Sequence, residues 1–161
     1  PEETYVYSYL TPRETLMFYG RLFDMREEDI KARTGQLLEM VGLDHVADRQ
    51  VGEFSKGMAR RTGLAQALIN NPDLIILDEP TNHLGARQAG EVLQVIKEAK
   101  KKGLGVIFIS HTLPHVLEVT DRIVVLRLGK VVRDAPTSEF TGDTLVGTIT
   151  GTIQTIPEED A

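Results

Sequence analysis

Two short, unbroken apolar runs constrain this chain more than any other feature. Leu74-Ile75-Ile76-Leu77 and Val106-Ile107-Phe108-Ile109 are each bulky and largely β-branched, with no polar interruption. Runs of this kind are what strands covered on both faces require. Between them, Val92, Leu93, Val95, Ile96 and Ala99 recur at helical spacing, and Gly103 supplies a stop. Strand, long helix, strand predicts parallel strands joined by a crossover, and hence an α/β sheet covered by helices.

In open parallel sheets, ligands bind beyond the carboxyl ends of the strands. The first run leads directly into Asp78-Glu79 and the second into Ser110-His111. If the two strands are neighbours, two carboxylates and an imidazole converge on one rim. One acid can then hold Mg²⁺, directly or through water, because that ion prefers hard oxygen ligands. The other can orient or deprotonate an attacking water. The imidazole can bond a phosphate oxygen that gains charge in the transition state. The plainer reading, in which the acids begin a loop and His111 caps a helix, stays open at this level.

The rest of the chain frames this unit. Thr11-Pro12-Arg13-Glu14 is a capping box with proline at the first helical position, and Leu16, Met17, Tyr19, Gly20 and Phe23 follow it. A second helix is expected from about Glu27 to Val41, with Leu37, Leu38 and Val41 inward and Gly42 as its stop. A third is expected from Ser55, with Leu64, Ala65, Leu68 and Ile69 on one face and Asn70-Asn71-Pro72 at its end. Ser55 can cap this helix. With the free N–H groups at Lys56 and Gly57, its hydroxyl also makes an anion site strengthened by the helix dipole. Beyond the second run, a short helix is expected over Thr112–Thr120. Ile123–Leu128 and Lys130–Arg133 should form a hairpin hinged at Gly129. The Thr- and Gly-rich stretch from Pro136 to Glu158-Glu159-Asp160 reads as a loosely held tail.

Composition removes several classes of function. The 161 residues contain no cysteine, which excludes disulfides and thiolate metal sites. No apolar run approaches the roughly 20 residues that cross a bilayer, and there is no amino-terminal secretory pattern. A net charge of −6 argues against binding nucleic acid by phosphate neutralisation. Lys97, Lys100, Lys101 and Lys102 read as the solvated end of a helix. The chain opens at Pro1 without an initiator methionine and is expected to be a fragment or a processed segment.

Several motifs, in order, resemble those of ATP-binding cassette (ABC) transporter ATPases. Leu74 to Thr81 resembles a Walker B strand with its "DEPT" continuation. Phe54-Ser55-Lys56-Gly57-Met58 resembles the signature motif in an "FSKGM" form and stands 23 residues before Asp78. Ile109-Ser110-His111 resembles the switch-histidine motif, and Asp121 to Leu126 the strand that follows it. Glu2 stands where the family's Q-loop glutamine usually does. The resemblance covers roughly residues 1 to 135. It implies a partial P-loop NTPase core with parallel strands plus a helical signature subdomain. The segments would be a Q-loop remnant over 1–10, the helical subdomain over 11–71, and the Walker B and switch-histidine half of the core over 72–135. Residues 136–161 would be an extension or tail.

It further implies ATP and Mg²⁺ as cofactors, Asp78 as the metal-binding carboxylate, Glu79 as the residue polarising water, and His111 on the γ-phosphate. Ser55, Lys56, Gly57 and Met58 would complete the nucleotide site of an opposing cassette. The expected partners are a second ATPase domain, identical or not, and a transmembrane permease that holds the protein on the cytoplasmic face of the membrane. No nucleic-acid partner is expected.

Three departures qualify this. The phosphate-cradling pattern G-x-x-x-x-G-K-[ST] is missing from the sequence; the resemblance implies that it lies upstream of Pro1, and ATP affinity no tighter than millimolar is expected without it. Gly85 stands where the D-loop aspartate would be, and Glu2 replaces glutamine. His83 lies near the acids but is expected to face solvent. The carboxy-terminal half is most similar to sugar importers and the front half to exporters, so transport direction stays open. Two rivals remain: a non-hydrolysing interaction module, and a soluble cassette ATPase of translation or DNA repair.

Overall fold

A computed structural model describes residues 6–153 and divides between Ile109 and Ser110 into two units. The first holds α1 (Pro12–Leu22), α2 (Glu27–Met40), α3 (Lys56–Ala67), β1 (Leu74–Asp78), α4 (Ala86–Lys101) and β2 (Gly105–Ile109). The second holds α5 (Leu113–Val119), β3 (Arg122–Arg127), β4 (Lys130–Pro136) and α6 (Gly142–Thr150).

The helices of the first unit start and stop where their end residues dictate. The Thr11 hydroxyl accepts from the Glu14 N–H at 3.1 Å, and the Glu14 carboxylate accepts from the Thr11 N–H at 2.8 Å. That reciprocal pair satisfies two donors the helix cannot use internally. Gly20 on α1 lies against Ile30 of α2, where an added Cβ would stand 2.8 Å from Ile30 Cγ1. Gly42, at φ +63°, ends α2 in the left-handed region. The carboxyl ends of α2 and α3 are tied crosswise: Arg33 of α2 donates to the Leu68 carbonyl at 3.1 Å, and Arg61 of α3 donates to the Val41 carbonyl at 2.7 Å. Each cation meets carbonyls left over by the other helix, at the end where the helix dipole favours positive charge.

β1 and β2 pair in parallel, from Leu74 opposite Gly105 to Asp78 opposite Ile109. Ile75 is buried, and α4 contributes a stripe of Ala89, Val92, Leu93, Val95, Ile96 and Ala99 to the core. The expectation of strands covered on both faces is corrected here. Leu74, Ile76, Ile107 and Ile109 share the opposite face of the pair and are roughly half to two-thirds exposed. The run is apolar throughout because both faces are built to be covered, yet the described residues cover only one.

In the second unit, β3 and β4 form an antiparallel hairpin whose register shifts between Val125 and Leu126. Leu128 and Gly129 at its tip both have positive φ, as a primed two-residue turn requires. The stretch expected as a loose tail instead forms α6 over Gly142–Thr150. The Thr141 hydroxyl caps its start, accepting from the Thr144 N–H at 3.2 Å, and Gly151 at φ +83° closes it. Leu145 and Thr148 are buried on its inner face. Threonine and glycine suggested looseness by composition; here they are the cap, the stop and a buried stripe.

Candidate functional site

The site begins at the carboxyl edge of β1 and β2. Asp78 is the last residue of β1 and pairs with Ile109, the last of β2, so both strands end level. The ladder extends one step further, with the Glu79 N–H donating to the Ile109 carbonyl at 2.9 Å. Glu79 then turns sharply, at φ +45°, a conformation that non-glycine residues rarely adopt. Its carbonyl accepts from the Asn82 N–H at 3.1 Å and from Arg60 Nη1 at 3.4 Å. A backbone fixed by three bonds holds a geometry that it would otherwise leave. The two acids therefore project from adjacent residues with different backbone conformations. Pro80 and Thr81 behind them are buried.

His83 is exposed at φ +59°, and Gly85 sits at φ −67° as the residue that begins α4. Nothing about the Gly85 backbone demands glycine. His111 follows Ile109 by two residues and belongs to the second unit. Just before it, the Ser110 hydroxyl accepts from the Thr112 N–H at 3.1 Å and shapes the turn into α5.

The second element is the start of α3. Ser55 is extended and exposed, and its hydroxyl accepts from the Met58 N–H at 3.3 Å. The leading N–H groups of the helix, at Lys56 and Gly57, point out of its amino end without intrahelical acceptors. Lys56 is exposed, Gly57 buried and Met58 half-buried. A Cβ at Gly57 would meet the Gln88 side chain at 3.2 Å, so the close approach this glycine allows in the described structure is to α4. A cleft of about 260 Å³ opens beside Ser55 and Met58, with Arg61, Arg87 and Glu91 among its walls. Glu91 lies 3.1 Å from Arg61 and 3.4 Å from Arg87, so its charge is shared between two cations.

Among the described residues, no group of three His, Asp or Glu side chains converges on a metal position. Glu2 lies outside the described residues. Arg60, by sequence alone a surface charge or a local ion-pair partner, is the residue that sequence reasoning misses: it donates to the Glu79 carbonyl. A signal existed: Gly57, Arg60, Arg61, Leu64 and Leu68 fall on one helical stripe, and Gly57, Leu64 and Leu68 are buried.

Comparison with known proteins follows the same line. The family described as "ABC transporter" matches residues 2–82. The linearmycin resistance ATP-binding protein LnrL of Bacillus subtilis is 33% identical over 91% of this chain and 48% of its own length. The taurine import ATP-binding protein TauB of Sinorhizobium fredii is 35% identical over 94% of this chain and 58% of its own. The chain spans about half the length of the curated relatives it matches. A crystal structure of the ADP conformation of MJ1267, an ATP-binding cassette of an ABC transporter, superposes with a TM-score of 0.77 at 25% identity. That match covers 94% of this chain and 64% of the other. Among the described residues, no helix is long and apolar enough to cross a membrane.

Proposed function

Because the chain belongs to the ABC transporter family, we propose that it is the part of an ATP-hydrolysing cassette that carries the Walker B acids and the signature helix. Asp78 holds Mg²⁺, directly or through water, and Glu79 polarises the attacking water. His111 contacts the γ-phosphate. Ser55, Lys56, Gly57 and Met58 present the amino end of α3 to nucleotide held by an opposing cassette, and Glu2 takes the Q-loop position. Mg²⁺ would supply charge neutralisation at the β- and γ-phosphates. ATP then joins two cassettes, identical or not, and its loss lets them separate; a transmembrane permease couples that cycle to transport and holds the protein at the cytoplasmic membrane face.

The observation that carries this reading is the level ending of β1 and β2, with Asp78 and Glu79 adjacent on one rim and Glu79 locked at φ +45°. General-base assistance contributes about 10²–10⁴-fold. In a cassette completed with a phosphate-loop half, Glu79→Gln should therefore reduce steady-state ATP hydrolysis by at least about a hundredfold. Unchanged turnover would remove Glu79 from its role.

A second reading draws on the open face formed by Leu74, Ile76, Ile107 and Ile109. On that reading the chain docks through this face and does not hydrolyse ATP. It predicts capture of a complementary cassette half with no turnover in the resulting complex.

A further inference from the structure

We propose that Arg60 is a positioning residue for Glu79, and that it links the occupied or empty state of the α3 amino terminus to the presentation of the Glu79 carboxylate. The inference rests on the reading of Glu79 given above. Glu79 leaves β1 in the left-handed region, and its main chain is fixed by Ile109, Asn82 and Arg60. The first two bonds come from the strand and turn that contain Glu79 or flank it. The third comes from a different element, 19 residues earlier in the sequence.

Arg60 lies five residues after Ser55 on a continuous helix, about 7.5 Å along its axis. The same helix that offers exposed Ser55 and Lys56 to a ligand therefore reaches the carbonyl of the candidate base. α3 is itself braced near this point by the Arg61 contacts with Val41 and Glu91. Its backbone is continuous over Lys56–Ala67, so a displacement at its amino end is passed on to the Arg60 guanidinium. Engagement of its amino end shifts the third bond on Glu79 while the other two stay in place. The carboxylate is thus aimed when the opposing cassette is engaged and loosened when it is not. Arg60 touches the main chain of Glu79 and acts through it.

Two measurements test this. In the 161-residue chain, Arg60→Met keeps the apolar stem and removes the donor. Amide hydrogen exchange at Asn82, whose acceptor is the same Glu79 carbonyl, should speed up by about fivefold or more, while amides of α1 keep their rates. In the completed cassette, Arg60→Met should lower kcat by about ten- to a hundredfold, as small misplacements of catalytic groups do, with KM for ATP within about twofold of wild type. Arg60→Lys should recover part of that loss. In single turnover, Arg60→Met added to Glu79→Gln should cost nothing further. Arg60→Gln serves as the second variant if Arg60→Met fails to fold. Unchanged exchange at Asn82, a loss confined to KM, or a loss that adds in full to that of Glu79→Gln overturns the proposal. Full turnover in Glu79→Gln alone instead overturns the reading on which it rests.

Discussion

Ile75 and Ile76 are adjacent, chemically identical and in the same strand, yet 6% and 64% exposed. That contrast permits an internally controlled experiment. Truncating Ile75 to alanine removes a buried side chain on the covered face of the sheet. Core substitutions of this kind cost about 2–5 kcal/mol once the cavity is included, and the near-complete burial of Ile75 places it near 3–4. Ile76 retains only about a third of its surface in contact with protein. Full burial of such a side chain is worth about 2 kcal/mol, so its share is roughly 0.7 kcal/mol, with no cavity because water fills the space. Both substitutions lose a similar amount of strand preference, up to about 1 kcal/mol, which cancels in the comparison. The expected gap is therefore about 2–3 kcal/mol. With an m-value of about 1.5 kcal/mol/M, the urea midpoints of Ile75→Ala and Ile76→Ala should differ by about 1.5–2 M. If Ile75→Ala fails to fold, the Ile75→Val and Ile76→Val pair should keep the same order at smaller cost. Equal midpoints, or the reverse order, would refute the assignment of the open face.

Three further outcomes follow from the packing. Gly20→Ala should destabilise by about 1–3 kcal/mol, since the new Cβ meets Ile30 Cγ1 at 2.8 Å, a loss that thermal melts will show. Leu145→Ala should cost about 2–5 kcal/mol and raise hydrogen exchange across α6, whereas a tail without structure would be indifferent. The Asp48 carboxylate accepts from Arg13 Nε at 2.7 Å, and this hydrogen bond holds its carboxyl below the usual range. Because the folded-state value is depressed, the stabilisation is present above about pH 4 and disappears as pH falls through the lowered value. Unfolding curves of Asp48→Asn and wild type should differ at neutral pH and converge in acid.

Most of the local architecture was legible because it depends on near neighbours in sequence. The capping box at Thr11, the glycine stop at Gly42, the two apolar runs and the Leu128-Gly129 tip are each set within a few residues. The adjacency of Asp78 and Glu79 on one rim was legible for the same reason, once the strands were taken as parallel neighbours. Two of the three failures depend on distant groups. The exposure of Ile76 and Ile107 reflects which layers are present around the sheet, and no periodicity within a four-residue run records that. α6 was hidden because threonine and glycine carry turn and helix-end meanings that only Leu145 and the cap at Thr141 resolve. The tie from Arg60 to Glu79 could not be read because it joins elements that meet only after the chain folds.

The crosswise arginines of α2 and α3 carry a consequence for how damage in this protein would be diagnosed. Because Arg33 serves the terminus of α3 and Arg61 serves that of α2, a lesion in either helix should first appear as fraying of the other. A residue-by-residue map of such a variant would point to the wrong helix, and the cause would be found by following the guanidinium back to its origin.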